Sequence, residues 1–283
     1  MNLHPNRLST STLGRWALSL LLLFLSSLFT SAAGGEAHSP PVLTLADTFY
    51  YQLTGKLRSD IPATVYDVDL FDTPAAEIER LKEEGKKVIC YFSAGTLEVW
   101  RPDAKLFPKD AVGKPVEGWP GERWLNVNSP VVRELMLKRL ELAVLKGCDG
   151  VEPDNVDLFT QNTGFSITFA QQADYNLFLA ESAHRLGLLV ALKNDPLQAE
   201  LLSPYFDFAI VEQCYAFGEC FYYLPFVRRG KPVFDVEYDK SLLVGKNFER
   251  MCNYSELLKI EMAVYPKNLN GSFVFDCRYG IFK

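Results

Sequence analysis

Short runs of β-branched and aromatic residues alternate along this chain with stretches of helical period, and this alternation constrains the fold more than any other feature. The runs are ATVYDVDLF (63–71), KKVICYFSAG (86–95), RWLNVN (123–128), GVEPDNVD (150–157), LLVALKND (188–195), DFAIVEQCY (207–215), KPVFDVEYD (231–239) and a weaker EMAVYPKNL (261–269). Between them lie helix candidates such as SPVVRELMLKRLELAVLKG and ITFAQQADYNLFLAESAHRLG, several opening on Thr, Ser or Asn and closing on Gly. Strands separated by helices pair in parallel. Eight such units in this length predict an α/β fold of the (β/α)8 TIM-barrel type, as a single domain. A doubly wound open sheet is the alternative, but it would carry a Gly-rich turn after its first strand, and VYDVDLFDTP has no glycine. The segment 100–122 has little helical period and reads as a loop over one rim.

Ahead of these units, a weakly basic segment and the apolar run Trp16–Phe29 lead to the small residues Ser31-Ala32-Ala33. This is the pattern of a secretory signal peptide, and the run is short of the ~20 residues a membrane span needs. The expected organisation is a signal peptide at 1–33, a lead-in at 34–62 and the barrel at 63–283. Secretion, extracellular or periplasmic, follows, with no stable membrane insertion after cleavage; an uncleaved N-terminal anchor is the alternative. The net charge of −6 argues against a nucleic-acid partner, whose phosphates require a basic footprint. Six cysteines suit an oxidising compartment. Cys214 with Cys220, and Cys252 with Cys277, are the disulfide candidates, while Cys90 and Cys148 sit in apolar runs and read as small buried hydrophobes. No CxxC pair or histidine cluster is present, so neither a metal nor any other cofactor is expected.

In a barrel, chemistry sits where strands end and βα loops begin. Those ends carry Tyr66, Asp67 and Asp69; Tyr91 and Ser93; Trp124; Glu152, Asp154, Asn155 and Asp157; Lys193, Asn194 and Asp195; Glu212, Gln213 and Tyr215; Glu237 and Tyr238. So many buried carboxylates would be costly as structure alone. Aromatic rings beside carboxylates suit a carbohydrate, and the excess of acids suits a cationic amino sugar. Glycosidic cleavage needs two carboxyl groups, one to protonate the leaving oxygen and one to attack carbon or activate water. Asp154 and Glu212, two strands apart, are the catalytic pair expected. Tyr66, Asp67, Asp69, Tyr91, Ser93, Trp124, Asn155, Asp157, Lys193, Asn194, Gln213, Tyr215, Glu237 and Tyr238 are expected to meet substrate. Glu152, deeper on the same strand, either supports the site or takes part. Asp149 suits a turn, and His184 the outer surface. Lys193 could form a Schiff base, as in an aldolase, but a ring of acids would hold it charged.

The segments YDVDLFD, VICYFSAGTLEVWRPDA, GWPGERWLNVN, GCDGVEPDNVD, GLLVALKND, VEQCYAFGEC and GKPVFDVEY together resemble the endo-α-1,4-polygalactosaminidases, glycoside hydrolase family 114. That resemblance runs from about Thr64 to Cys277. It implies a (β/α)8 barrel that cleaves α-1,4-linked galactosamine polymers, a cationic polysaccharide partner, with catalytic acids matching Asp154 and Glu212. By similarity to related retaining barrels, Asp154 is assigned as nucleophile and Glu212 as general acid/base. Asn126 and Asn128 depart from the family pattern at the end of RWLNVN. A non-catalytic carbohydrate-binding barrel is the competing reading.

Overall fold

A computed structural model describes residues 41–283. The expected signal peptide and the first part of the lead-in lie outside the described residues. Eight parallel strands curl into the barrel: β1 (Phe49–Gln52), β2 (Val65–Asp69), β3 (Lys87–Ser93), β4 (Gly150–Asp154), β5 (Leu189–Lys193), β6 (Phe208–Glu212), β7 (Val233–Glu237) and β8 (Glu261–Val264). Nearly every residue in them is buried, as a sheet covered on both faces requires.

The count of eight matches the sequence pattern, but its membership differs at two places. RWLNVN is not a barrel strand: Glu122–Leu125 is the central strand of a small antiparallel sheet with Thr96–Glu98 and Val112–Pro115, inserted after β3. The first barrel strand is instead FYYQ, pairing in parallel with β2 from Phe49↔Val65 to Gln52↔Val68. The barrel therefore starts before residue 63, inside the expected lead-in. The two differences cancel in the numbering, so Asp154 and Glu212 still end the fourth and sixth strands.

Helices α1 (Ala75–Glu83), α2 (Pro130–Lys146), α3 (Phe169–Arg185), α4 (Ala199–Leu202), α5 (Cys214–Phe217), α6 (Leu224–Arg228) and α7 (Asn247–Leu258) fill the connections. Their ends follow local chemistry. Thr168 and Gln171 form a reciprocal capping box at the start of α3. Pro130 opens α2, and Gly147 closes it in the left-handed conformation.

The ring closes between β8 and β1 through side chains and a loop. Phe49 N donates to Glu261 Oε1 at 2.7 Å, and the hydroxyls of Tyr265 and Tyr279 donate to Phe49 O at 3.0 and 2.9 Å. Leu53 N donates to Leu269 O at 3.0 Å, and the Phe49 ring stacks on Phe234 at 4.6 Å. A C-terminal hairpin, Val274–Asp276 with Gly280–Phe282, extends β8 antiparallel.

Three disulfides are present, Cys214–Cys220, Cys252–Cys277 and Cys90–Cys148. The last corrects the reading of Cys90 and Cys148 as unpaired. Cys90 lies mid-β3 and Cys148 just before β4, and the parallel pairing of these strands brings their Cα atoms to 6.1 Å. Among the described residues no helix is long and apolar enough to cross a membrane.

Candidate active site

The C-terminal ends of β4, β5 and β6 converge at one mouth of the barrel. Pro153 lacks the N–H that would continue the ladder from β4 toward β5, and that register stops at Val151↔Val190. Beyond it the chain turns sharply. Asn155, Asn194 and Gln213, each following a strand, all adopt left-handed backbone conformations, with φ of 60°, 50° and 60°. Opposite β4, Gly95 lies so close that a Cβ there would come within 1.7 Å of Asn155 O. Ala94 N and Gly95 N donate to Asp154 O at 2.8 and 3.1 Å, so the turn carrying Asp154 is tied directly to the end of β3.

The side chain of Lys193 lies at the centre. Buried to 1% exposure, it donates from Nζ to Glu152 Oε1 at 2.6 Å and to Tyr51 Oη at 3.2 Å. The same nitrogen stands 3.7 Å from Asp154 Oδ1 and 4.0 Å from Glu212 Oε1. Burial alone would pull this ammonium down, but Asp154, Glu152 and Glu212 overcome it and hold it above the usual lysine range. A lysine enclosed by carboxylates that favour its charged form is poorly suited to attack a carbonyl, which speaks against the Schiff-base alternative. Beneath it, Asp67 is fully buried. Desolvation first and the charge of Glu152 second push it well above the usual carboxylate range, and among the described residues neither of its oxygens has a hydrogen-bond partner.

Asp154 and Glu212 remain partly open to solvent, their side chains 17% and 33% exposed. Asn155 N donates to Asp154 Oδ1 at 2.6 Å. The Tyr238 hydroxyl donates to Glu212 Oε1, and Glu212 N donates to Asn194 Oδ1 at 2.9 Å. Two cavities meet at Glu212. One, of about 330 Å³, is lined by Asp154, Tyr51, Tyr91, Asn155, Trp119, Glu122, Tyr238 and Lys267. The other, of about 440 Å³, is lined by Asp157, Asp195, Phe217, Glu219 and Tyr222. Asn194, Glu212 and Gln213 belong to both, so the two form one groove across the mouth.

Of the residues expected at substrate, Tyr91, Asn155, Asp157, Asn194, Gln213 and Tyr238 line this groove with the catalytic candidates. The others do not. Tyr66 alternates to the opposite side of β2 from Asp67; it is fully buried, with its hydroxyl donating to Ile61 O at 2.6 Å. Asp67 is sealed beneath Lys193. Asp69 is occupied by Arg101, at 2.6 and 3.0 Å. Ser93 is buried and donates to Asn155 Oδ1 at 2.8 Å, so it acts through that residue. Lys193 likewise faces the carboxylates rather than the groove. Tyr215 packs on Tyr254, and Glu237 accepts from Tyr215 N and Ala216 N at 2.9 and 3.1 Å. Trp124 is buried in the small sheet, paired with Thr96.

Trp119, from the turn three residues before that strand begins, is the tryptophan at the groove. Sequence reasoning missed it together with Tyr51, Glu122 and Lys267: Tyr51 lies in a strand too short to show a period, while Trp119 and Glu122 in the rim loop and Lys267 beyond the end of β8 lie where periodicity does not say which side chains turn inward. Glu152 is fully buried and accepts from Lys193 Nζ and Tyr51 Oη. Asp149 accepts Val88 N at 2.9 Å in a turn, and His184 pairs with Asp207 on the outer surface. Among the described residues only Cys214, Cys220 and Asp235 bring three potential metal ligands together, and the two sulfurs are joined to each other.

Two carboxylates flanking a groove lined with aromatics suit acid/base cleavage of a glycoside, and comparison with known proteins agrees. The sequence model of glycoside-hydrolase family GH114 matches residues 30–281. The chain belongs to this family. It is accordingly a glycosidase. Among solved structures it is similar to Aspergillus fumigatus Ega3, determined in complex with galactosamine, at 33% identity and a TM-score of 0.78; the match covers 88% of this chain and 99% of that one. The glycoside hydrolase domain of PelA from Pseudomonas aeruginosa matches at 14% identity and a TM-score of 0.62, over 80% of this chain and 96% of that one. The α-galactosidase TtGalA of Thermus thermophilus matches at 14% and 0.51, over 82% and 64%. The last two likenesses establish the barrel fold. No protein of curated function matches the chain.

Proposed function

We propose that this GH114 member is a secreted endo-glycosidase that cleaves internal α-1,4 linkages of galactosamine-containing polysaccharide with retention, using Asp154 as nucleophile and Glu212 as general acid/base. The observation that carries this reading is the approach of both carboxylates to Lys193 Nζ, at 3.7 and 4.0 Å, with two cavities that meet at Glu212. The likeness to Ega3, with its bound galactosamine, supports the substrate class. Three disulfides support export to an oxidising compartment.

In the first step protonated Glu212 gives its proton to the glycosidic oxygen while an Asp154 oxygen attacks the anomeric carbon. The C–O bond breaks, the leaving chain departs with a free hydroxyl, and a glycosyl ester of Asp154 remains. Water then attacks the same carbon as Glu212 takes its proton, which frees Asp154 and regenerates the acid. The fixed positive charge of Lys193 faces both carboxylates throughout, and Asn155 N holds Asp154 in its rotamer.

Incubation of wild-type protein and its Asp154→Asn form with partially deacetylated α-1,4-linked galactosamine polymer, followed by mass spectrometry, tests this. Oligosaccharides are expected from the wild type, with at least a ~10³-fold loss in the variant. NMR of the first product formed should show the α-anomer. Equal release from both proteins would remove Asp154 from the chemistry, and an initial β-anomer would replace retention by inversion.

A further inference from the structure

The two cavities that meet at Glu212 differ in charge, and that asymmetry falls across the bond to be cleaved. Asp154 lines only the smaller cavity, whereas Glu212 lines both. A nucleophile must face the anomeric carbon, and a proton donor the oxygen that leaves it. The sugar attacked therefore occupies the Asp154 side, and the unit that leaves occupies the larger cavity beyond Glu212. We propose that this larger cavity is a leaving-group subsite selective for a free amine, so that each cleavage exposes galactosamine, not N-acetylgalactosamine, at the new non-reducing end. This rests on the assignment of Asp154 and Glu212 above.

The larger cavity holds Asp157, Asp195 and Glu219, and among the described residues no lysine or arginine lines it. Asp195 carries the inference furthest. It is 1% exposed, its Oδ2 accepts from Asn176 Nδ2 at 3.0 Å, and among the described residues its Oδ1 has no hydrogen-bond partner. A buried carboxylate oxygen without a donor is costly, and an ammonium supplies both donors and charge. Desolvation first, and then the neighbouring charge of Asp157, raise Asp195 to about 8, and an ammonium beside it would draw it back toward the charged form. Asp195 is held in place by its left-handed backbone, φ 58°, directly after Asn194. Phe217 and Tyr222, both exposed, flank the cavity with faces suited to the C–H side of a sugar. An N-acetyl group offers one N–H, no charge and extra bulk. The smaller cavity lacks this arrangement: it carries Lys267, exposed at its edge, and Glu122, which accepts from Thr96 at 3.1 Å.

The test is digestion, in ¹⁸O-water, of an α-1,4-linked galactosamine polymer of known acetyl content. The isotope marks each new reducing end, and tandem mass spectrometry reads both termini of each fragment. New non-reducing ends are expected to be free amines at least tenfold more often than the polymer's composition gives, with no comparable bias at new reducing ends. Asp195→Asn keeps the shape and the bond to Asn176; it is expected to raise KM about tenfold on fully deacetylated polymer and to admit acetylated ends, as loss of a charge-assisted hydrogen bond implies. New non-reducing ends in the polymer's own proportions would overturn the subsite while leaving the glycosidase reading intact. Bias confined to reducing ends would overturn it too, and so would an Asp195→Asn enzyme with wild-type selectivity. No cleavage by the wild type would sink both readings. The wild-type end analysis decides the question even if the variant fails to fold.

Discussion

Tyr238 shows how a single donor can tune the proposed acid/base. Its hydroxyl donates to Glu212 Oε1 from the residue just after β7, and it also lines the smaller cavity. A donated hydrogen bond fixes the rotamer of the carboxyl group that accepts it, so its loss leaves Glu212 less well aimed at the glycosidic oxygen. Tyr238→Phe is therefore expected to lower kcat about tenfold, as the acid and base steps both depend on that orientation. An unchanged kcat in the variant would show that Tyr238 only fills space. Residues of this kind were partly legible. Tyr238, Asn155, Asn194 and Gln213 follow strand ends directly, so reading the strand termini was enough to find them. Tyr66, Asp67 and Glu237 sit in equally polar strands, but alternation and depth remove them from the groove. A sequence gives a strand's face only once its register is known, and it gives depth hardly at all.

At the scale of elements, helix ends were plain from Ser129-Pro130, Gly147 and the Thr168/Gln171 box, because those signals are local. Two strands were exchanged for a different reason. FYYQ is too short to show a period, whereas RWLNVN shows a strand pattern that a three-stranded flap satisfies as well as a barrel does. The Cys90–Cys148 bond was hidden for the same reason, since it depends on β3 lying beside β4. The chain-entropy model makes loop length the measure of what each bond contributes. Separations of 58, 25 and 6 residues order the losses on Cys→Ala replacement as Cys90–Cys148, then Cys252–Cys277, then Cys214–Cys220, with about 4 kcal/mol for the first. Urea titration of the three double variants checks the order. The shortest loop should matter differently. Cys214 follows Gln213 at the groove, so loss of its bond to Cys220 is expected to raise KM more than it lowers the unfolding midpoint. Equal effects on both would contradict this.

For the whole molecule, buried acid in the barrel sets the pH at which the fold is most stable. Asp235 lies within reach of the charge of Glu237, Glu261 of that of Asp276, and Asp67 of that of Glu152. Desolvation is the leading cause of the shift in each. It pushes Asp67, Asp235 and Glu261 well above their usual range, Asp276 to about 6, and Asp195 to about 8. These folded-state values are raised, whereas the unfolded chain titrates near the ordinary carboxylate range of ~4. Between the two values the folded protein binds more protons than the unfolded chain, so stability falls as pH rises through that window. Asp47 runs the other way. Burial pushes it up, but Lys87 at 2.6 Å and the donors Thr44 and Thr64 pull it below its usual value, so its contribution is lost only as the medium becomes strongly acidic. The balance places maximum stability on the acid side of neutrality, unlike a protein whose carboxylates are mostly paired with cations. Calorimetry is expected to give a Tm at pH 5 at least ~3 °C above that at pH 8, the shift produced by about 1 kcal/mol in a domain of this size. Asp235→Asn leaves a neutral neighbour for Glu237, keeps an acceptor for Cys214 N, and should flatten part of that slope. A Tm that instead rises from pH 5 to pH 8 would mean that the buried acids are ionised and satisfied by groups other than their carboxyl partners.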